Sequence, residues 1–126
     1  MRAERLDHLV LTVADPETTA AWYERVLGME RVTFGEGRLA LRFGNQKLNL
    51  HQAGHEFEPK ASRPTPGSAD LCFVTRVPIG DVIAHLGRLG LSVERGPVER
   101  TGALHPVRSV YLRDPDGNLV EIANEL

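Results

Sequence analysis

Apolar residues crowd the start of the chain at positions 6–13, a leucine- and valine-rich run that predicts a short strand covered on both faces. His8, Val10 and Thr12 share one side of it, and Leu9, Leu11 and Val13 the other. The apolar spacing then lengthens. Trp22 and Val26 are four apart, as are Tyr23 and Leu27, which lays an apolar stripe along a helix. Asp15-Pro16 opens that helix, because the carboxylate caps free backbone N–H groups and proline suits the first turn. Gly28 is placed to close it in a left-handed conformation. Three short strands follow at about 30–34, 38–43 and 47–52, separated by Gly35-Glu36-Gly37 and Gly44-Asn45-Gln46.

The same order then recurs. A shift of 62 residues carries His8 onto Asp70, Pro16 onto Pro78 and Gly28 onto Gly90. Residues 69–75 read as a strand. Residues 78–89 read as a helix with Val82, Ile83, Leu86 and Leu89 on its buried side, weakened by Gly80 and Gly87. Strands at 92–94 (extending toward 100), 107–113 and 118–123 complete the second half. Asp114-Pro115-Asp116-Gly117-Asn118 makes a tight turn before the last of them. The stretch 53–68 holds Pro59, Pro64, Pro66 and Gly67, lacks periodicity, and reads as a connector. The expected class is α+β: two βαβββ modules, 1–52 and 69–126, around one shared cleft.

Composition narrows the function. A chain of 126 residues fits one domain, and a net charge of −2 without a basic stripe argues against nucleic-acid binding. The single Cys72 excludes a disulfide framework; it shares a face with Asp70, which would aim it into the cleft, but is expected instead to be a small buried residue. No apolar stretch has signal or membrane length, so the protein is expected to be soluble and cytoplasmic, with no membrane partner.

Glu121 is the most conspicuous polar residue, set between Val120 and Ile122. A carboxylate there needs a cation, hydrogen bonds or water, unless its strand face is simply solvated. His8 poses the same choice between a hydrogen-bonded structural residue and a ligand. The internal repeat changes the weighing. Asn49 in the last strand of the first half corresponds to Glu121 at a shift of 72, so His8, Asn49, Asp70 and Glu121 occupy equivalent corners. His51 shares a face with Asn49. Imidazole and carboxylates together suit a divalent Zn, Ni, Mn, Co or Fe ion, with open positions for substrate. Ser109 and Tyr111 share a face on the seventh strand and are candidates for lining a pocket. His55, His85 and His105 read as surface residues.

Leu6-Asp7-His8-Leu9-Val10-Leu11, Trp22-Tyr23-Glu24-Arg25-Val26-Leu27-Gly28-Met29 and Asp114-Pro115-Asp116-Gly117-Asn118-Leu119-Val120-Glu121-Ile122 together resemble the vicinal oxygen chelate superfamily, also called the glyoxalase/bleomycin-resistance/dioxygenase superfamily. Phe43-Gly44-Asn45-Gln46-Lys47-Leu48-Asn49-Leu50-His51, Glu56-Phe57-Glu58-Pro59-Lys60-Ala61 and Gly96-Pro97-Val98 are similar to its glyoxalase domain-containing protein 5 type. The resemblance implies paired βαβββ modules forming a U-shaped eight-stranded mixed sheet with helices on the convex face, and a homodimer. It implies metal ligands at His8, Asn49, Asp70 and Glu121. Glyoxalase I enzymes commonly place Glu where Asn49 stands and His or Gln where Asp70 stands. The expected set is therefore His8 and Glu121 with His51 or Asp70 as third ligand, and Glu121 doubles as catalytic proton carrier. Two functions follow: a metal-dependent lyase or isomerase acting on a small oxygenated substrate, or a metal-free protein that sequesters a small molecule.

Overall fold

The repeat is present as two compact units, Met1–Ser68 and Ala69–Leu126, in the computed structural model, which describes all 126 residues. The first unit runs β1 (His8–Val13), α1 (Pro16–Leu27), β2 (Glu30–Phe34), β3 (Arg38–Phe43) and β4 (Gln46–Gln52). Its sheet has the order β1-β4-β3-β2, with β1 parallel to β4 and the β2-β3-β4 meander antiparallel. The helix forms as its sequence dictates. Asp15 stays extended at φ −137°, and its carboxylate accepts from the Glu17 backbone N–H at 3.1 Å and the Thr18 hydroxyl at 2.7 Å. Those bonds hold the Asp15 carboxyl below its ordinary range. Gly28 ends the helix at φ 63° and returns its N–H to the Glu24 carbonyl. The buried stripe of α1 includes Ala20, Trp22, Tyr23 and Val26, and the core adds Leu11, Val13, Leu41, Leu48 and Leu50.

Strand β1 is covered on one face only, not two. Leu11 and Val13 are buried, whereas His8 and Val10 are exposed. The helix packs on one side of the sheet, and on the other side the β1 edge at His8 and Val10 is exposed although Ala40, Asn49 and His51 of β3 and β4 are buried, so the leucine-valine run reports hydrophobicity without reporting a second layer over β1. The segment 53–68, read as a connector, belongs to the first unit, and Phe57 from it packs edge-on against His51 of β4.

The second unit runs β5 (Asp70–Val74), α2 (Ile79–Arg88), β6 (Arg95–Thr101), β7 (Pro106–Arg113) and β8 (Leu119–Glu125). Its sheet order, β5-β8-β7-β6, repeats the first. Helix α2 starts after Pro78 without a side-chain cap and buries Val82 and Leu86; Ile83 and Leu89 are half-buried. Strand β6 begins at Arg95, three residues later than its composition suggests. Gly96 sits at φ 107°, and the pairing with β7 slips between Arg95 and Val98. A Cβ on Gly96 would stand 2.4 Å from the Ser109 carbonyl oxygen, so the two backbones approach this closely only because the residue is glycine. Gly96→Ala is expected to lower unfolding free energy by about 2–3 kcal/mol or more, from positive φ and backbone collision together. A urea melt checks it, and an unchanged midpoint would show that β6 moves freely.

The turn 114–118 is a hydrogen-bonded staple. Asp114 Oδ1 accepts from the backbone N–H groups of Asp116 (3.0 Å) and Asn118 (2.9 Å), and Oδ2 accepts from the Asn118 side-chain amide at 2.8 Å. Asn118 Oδ1 in turn accepts from the Ala69 N–H at 2.9 Å, fastening the start of β5 to the β7–β8 turn. Gly117 supplies the positive φ of 87° that this turn requires. No helix is long and apolar enough to cross a membrane.

Candidate functional site

The open face of the second unit carries the chemistry. Register places Cys72 of β5 and Tyr111 of β7 on either side of Glu121 of β8, in one cross-strand row. Alternation explains the odd sequence context of Glu121: Val120 and Ile122 point into the core at 0% and 2% exposure, and Glu121 points the other way. The row lines a cavity of about 560 Å³ whose wall also includes Arg100, Leu104 and Val107. The turn between β6 and β7, closed by the Gly102 N–H to the His105 carbonyl at 2.9 Å, forms the rim. The Arg100 guanidinium carbon lies 5.8 Å from the Tyr111 ring centroid.

Cys72 is exposed, contrary to the buried position expected for it, because nothing covers the outer face of β5. Its thiol is nonetheless pushed up to about 11, first by the local loss of solvent around the sulfur and then by the charge and hydrogen bond of Glu121, with Asp70 adding to the effect. The same two causes, loss of solvent and then Glu121, raise Tyr111, and Arg100 opposes them. Thiol and phenol therefore both face the carboxylate as protonated donors at neutral pH. The thiolate is the nucleophile, so a raised pKa means less of it. Cys72 should react with iodoacetamide at pH 7 roughly 100-fold more slowly than an unperturbed cysteine, with the rate climbing as pH approaches 11. Mass-spectrometric timing of alkylation reads this directly. Ser109 lies on the same face but is fully buried between Val98 and Ala123, and its hydroxyl has no partner.

The open face of the first unit holds the remaining candidates. His8 is exposed, and its Nδ1 lies 2.9 Å from Asp7 Oδ1. That bond holds the Asp7 carboxyl low and leaves Nε2 available, the arrangement in which a carboxylate orients a ligating imidazole. Asn49 pairs with Val10 and Ala40 and is 6% exposed; His51 pairs with Thr12 and is 4% exposed. Asn49 Oδ1 and His51 Nε2 have no hydrogen-bond partner, which costs about 1–3 kcal/mol for each buried group. Burial first, then Arg38, pushes the His51 pKa down, against an opposing pull from Glu56. His8 and His51 stand on one face but four register positions apart, about 13 Å along the strands.

As donors, His8, Asp70 and Glu121 fit a hard-to-borderline divalent ion in type. Asp70 and Glu121 share the open face of the second unit one row apart, and His8 belongs to the first unit. No three His, Cys, Asp or Glu side chains gather into a metal-binding group. Arg38, Phe57 and Arg100 escaped the reading of the sequence. Only the tight β3–β4 hairpin, whose register sets Arg38 beside His51, carried a signal for any of them.

Two βαβββ units, each a four-stranded sheet with one helix, define the paired-module α+β class of fold. A family model described as the Glyoxalase/Bleomycin resistance protein/Dioxygenase superfamily matches residues 5–122, and the chain belongs to that superfamily. It is 61% identical over 123 residues to Virulence protein STM3117 of Salmonella typhimurium, covering 98% of this chain and 85% of that protein. The crystal structure of STM3117 superimposes with a TM-score of 0.98 over the whole of both chains, at 60% identity. Identity to Glyoxalase domain-containing protein RDO1 of Mycosarcoma maydis is 56% over 119 residues, 94% of this chain and 67% of that protein. The fold alone is shared with a lactoylglutathione lyase from Agrobacterium tumefaciens (24% identity, TM-score 0.74, 98% of this chain and 96% of that one). It is likewise shared with the antibiotic-binding protein TnmS3 from Streptomyces (21%, 0.75, 100% and 99%).

Proposed function

We propose that the chain is a divalent-metal-dependent enzyme of the glyoxalase-like lyase or isomerase class, of the glyoxalase domain-containing protein 5 type, acting on a small oxygenated substrate. The observation that carries this reading is Glu121, a carboxylate aimed from an otherwise core-forming strand into a 560 Å³ cavity between two protonated donors. Asp70 and Glu121, on the open face of the second unit, are the donors that would hold the ion there, and His8, with its Nδ1 on Asp7, and His51 are the candidate donors of the first unit. A bound ion supplies Lewis-acid polarisation of substrate oxygens. Glu121 accepts a proton from the substrate and returns it, while the Tyr111 hydroxyl, kept protonated, donates to Glu121 or to a substrate oxygen. Val107, buried in the cavity wall, gives the reacting groups an apolar side. The protein is taken to act as a cytoplasmic homodimer, a state that light scattering on the purified chain reads.

Elemental analysis of protein purified without chelator, then offered Zn, Ni, Mn, Co and Fe(II) in turn, tests the reading. About one ion per chain is expected, with uptake falling at least 10-fold in His8→Ala and Asp70→Asn. Failure to take up any of the five ions overturns it.

One feature favours a second reading, metal-free sequestration of a small molecule. The cavity wall is apolar at Val74, Leu104 and Val107, and Leu104 is 83% exposed at its rim, a surface suited to holding an apolar body without transforming it. Tight binding by chelator-treated protein, with no turnover, would select this reading.

A further inference from the structure

We propose that the open face of the first unit carries a subsite for a small hydroxy acid, built from Asn49, His51 and Arg38 and roofed by Phe57. The β3–β4 register pairs Ala40 with Asn49 and Leu39 with Leu50, so Arg38 stands next in line opposite His51 and across from Phe34 of β2. The Arg38 guanidinium carbon lies 4.5 Å from the Phe57 ring centroid and 5.0 Å from that of Phe34, held between the two faces. It makes no ion pair. The other two arginines of this sheet do: Arg31 binds Glu17 and Glu24, and Arg42 binds Glu30. The Lys47 ammonium, 4.0 Å from the Phe34 ring, adds positive charge on the same side, and Glu56 is the acid whose charge reaches His51. A guanidinium held between two rings and left without a carboxylate is a receptor for one.

Beside it lie the two polar atoms that the fold leaves unserved, Asn49 Oδ1 and His51 Nε2, on side chains more than nine-tenths buried. The strand neighbours of Asn49, Val10 and Ala40, offer no hydrogen bond, and those of His51, Thr12 and Arg38, leave its Nε2 unserved. The amide oxygen only accepts, whereas neutral imidazole nitrogen does either. One ligand hydroxyl, which donates and accepts, therefore serves both atoms, and a carboxylate on the adjoining carbon reaches Arg38. Phe57, 5.6 Å edge-on to His51 and itself 41% exposed, is the side chain that must swing aside to admit the ligand. The inference stands on the first unit alone and does not depend on a metal.

The test uses chelator-treated full-length protein, so that a failed metal reading leaves it untouched. Lactate, malate and 2-hydroxyisobutyrate are titrated while the His51 ring signals are followed by NMR, with lactamide as the uncharged control. At least one acid is expected to shift the His51 signals saturably, with lactamide at least 10-fold weaker and Arg38→Gln reducing acid binding at least 10-fold. Asn49→Leu, which replaces an unserved amide by an apolar group of similar size, is expected to raise the melting temperature while abolishing binding. No saturable shift with any of the three acids, equal binding of lactate and lactamide, or a lowered melting temperature in Asn49→Leu would each overturn the proposal.

Discussion

Glu121→Gln protein is expected to fold normally and to lose divalent-ion uptake by about 100-fold or more, taking any metal-dependent turnover with it. Gln matches Glu in shape, and position 121 faces the cavity, so packing of Val120 and Ile122 in the core is undisturbed. The neutral amide still accepts from Tyr111 and Cys72, which keeps the local geometry. What disappears is the negative charge. The same change should speed Cys72 alkylation at neutral pH, because the Glu121 charge and hydrogen bond both hold that thiol up. Falling ion uptake with rising thiol reactivity, at unchanged melting temperature, is a pattern that general unfolding does not imitate. Elemental analysis, alkylation timing and calorimetry on one preparation check all three, and retained uptake would remove Glu121 from the site.

Asp114→Ala is expected to carry the largest stability cost, about 3–5 kcal/mol, lowering the melting temperature by ~10–20 °C. The residue is 5% exposed, and its carboxylate serves three donors at 3.0 Å or less, two backbone N–H groups and the Asn118 amide. Alanine strands those donors and frees Asn118, whose oxygen ties down the Ala69 N–H. Asp114→Asn, which keeps acceptor capacity on one side of the group, should lose about half as much. Chemical denaturation of the two variants measures the difference, and equal midpoints for parent and Asp114→Ala would show that the turn is held by Gly117 and the strands alone.

Local signals in the chain proved dependable where one residue acts on its own backbone. Asp15 caps α1, Gly28 ends it at positive φ, and Gly117 turns β7 into β8. The order of elements follows from these stops and starts. Signals that depend on what packs across a sheet were not legible. The leucine-valine run of β1 reads the same whether one or two faces are covered, and Cys72 among apolar neighbours reads as buried although its face is open. The slip in the β6–β7 pairing coincides with the close approach of Gly96 to Ser109, a contact between strands more than ten residues apart in sequence that no local pattern announces. Glu121 announced itself because a carboxylate inside a core strand has few harmless explanations. Arg38 and Phe57 did not, since a basic residue in a strand and an aromatic in a proline-rich stretch are ordinary until register brings them together.

The Asp114–Asn118 staple has a bearing on how such chains are compared. Its conspicuous motif ties its own turn together, fastens the turn to Ala69 and takes a bond from the Arg113 guanidinium at the Gly117 carbonyl. A descendant that kept those five residues and exchanged the carboxylate three positions later would still fold, and would still be counted as kin. Inheritance of shape is thus written in those five letters, adjacent to the cavity-facing carboxylate and separable from it.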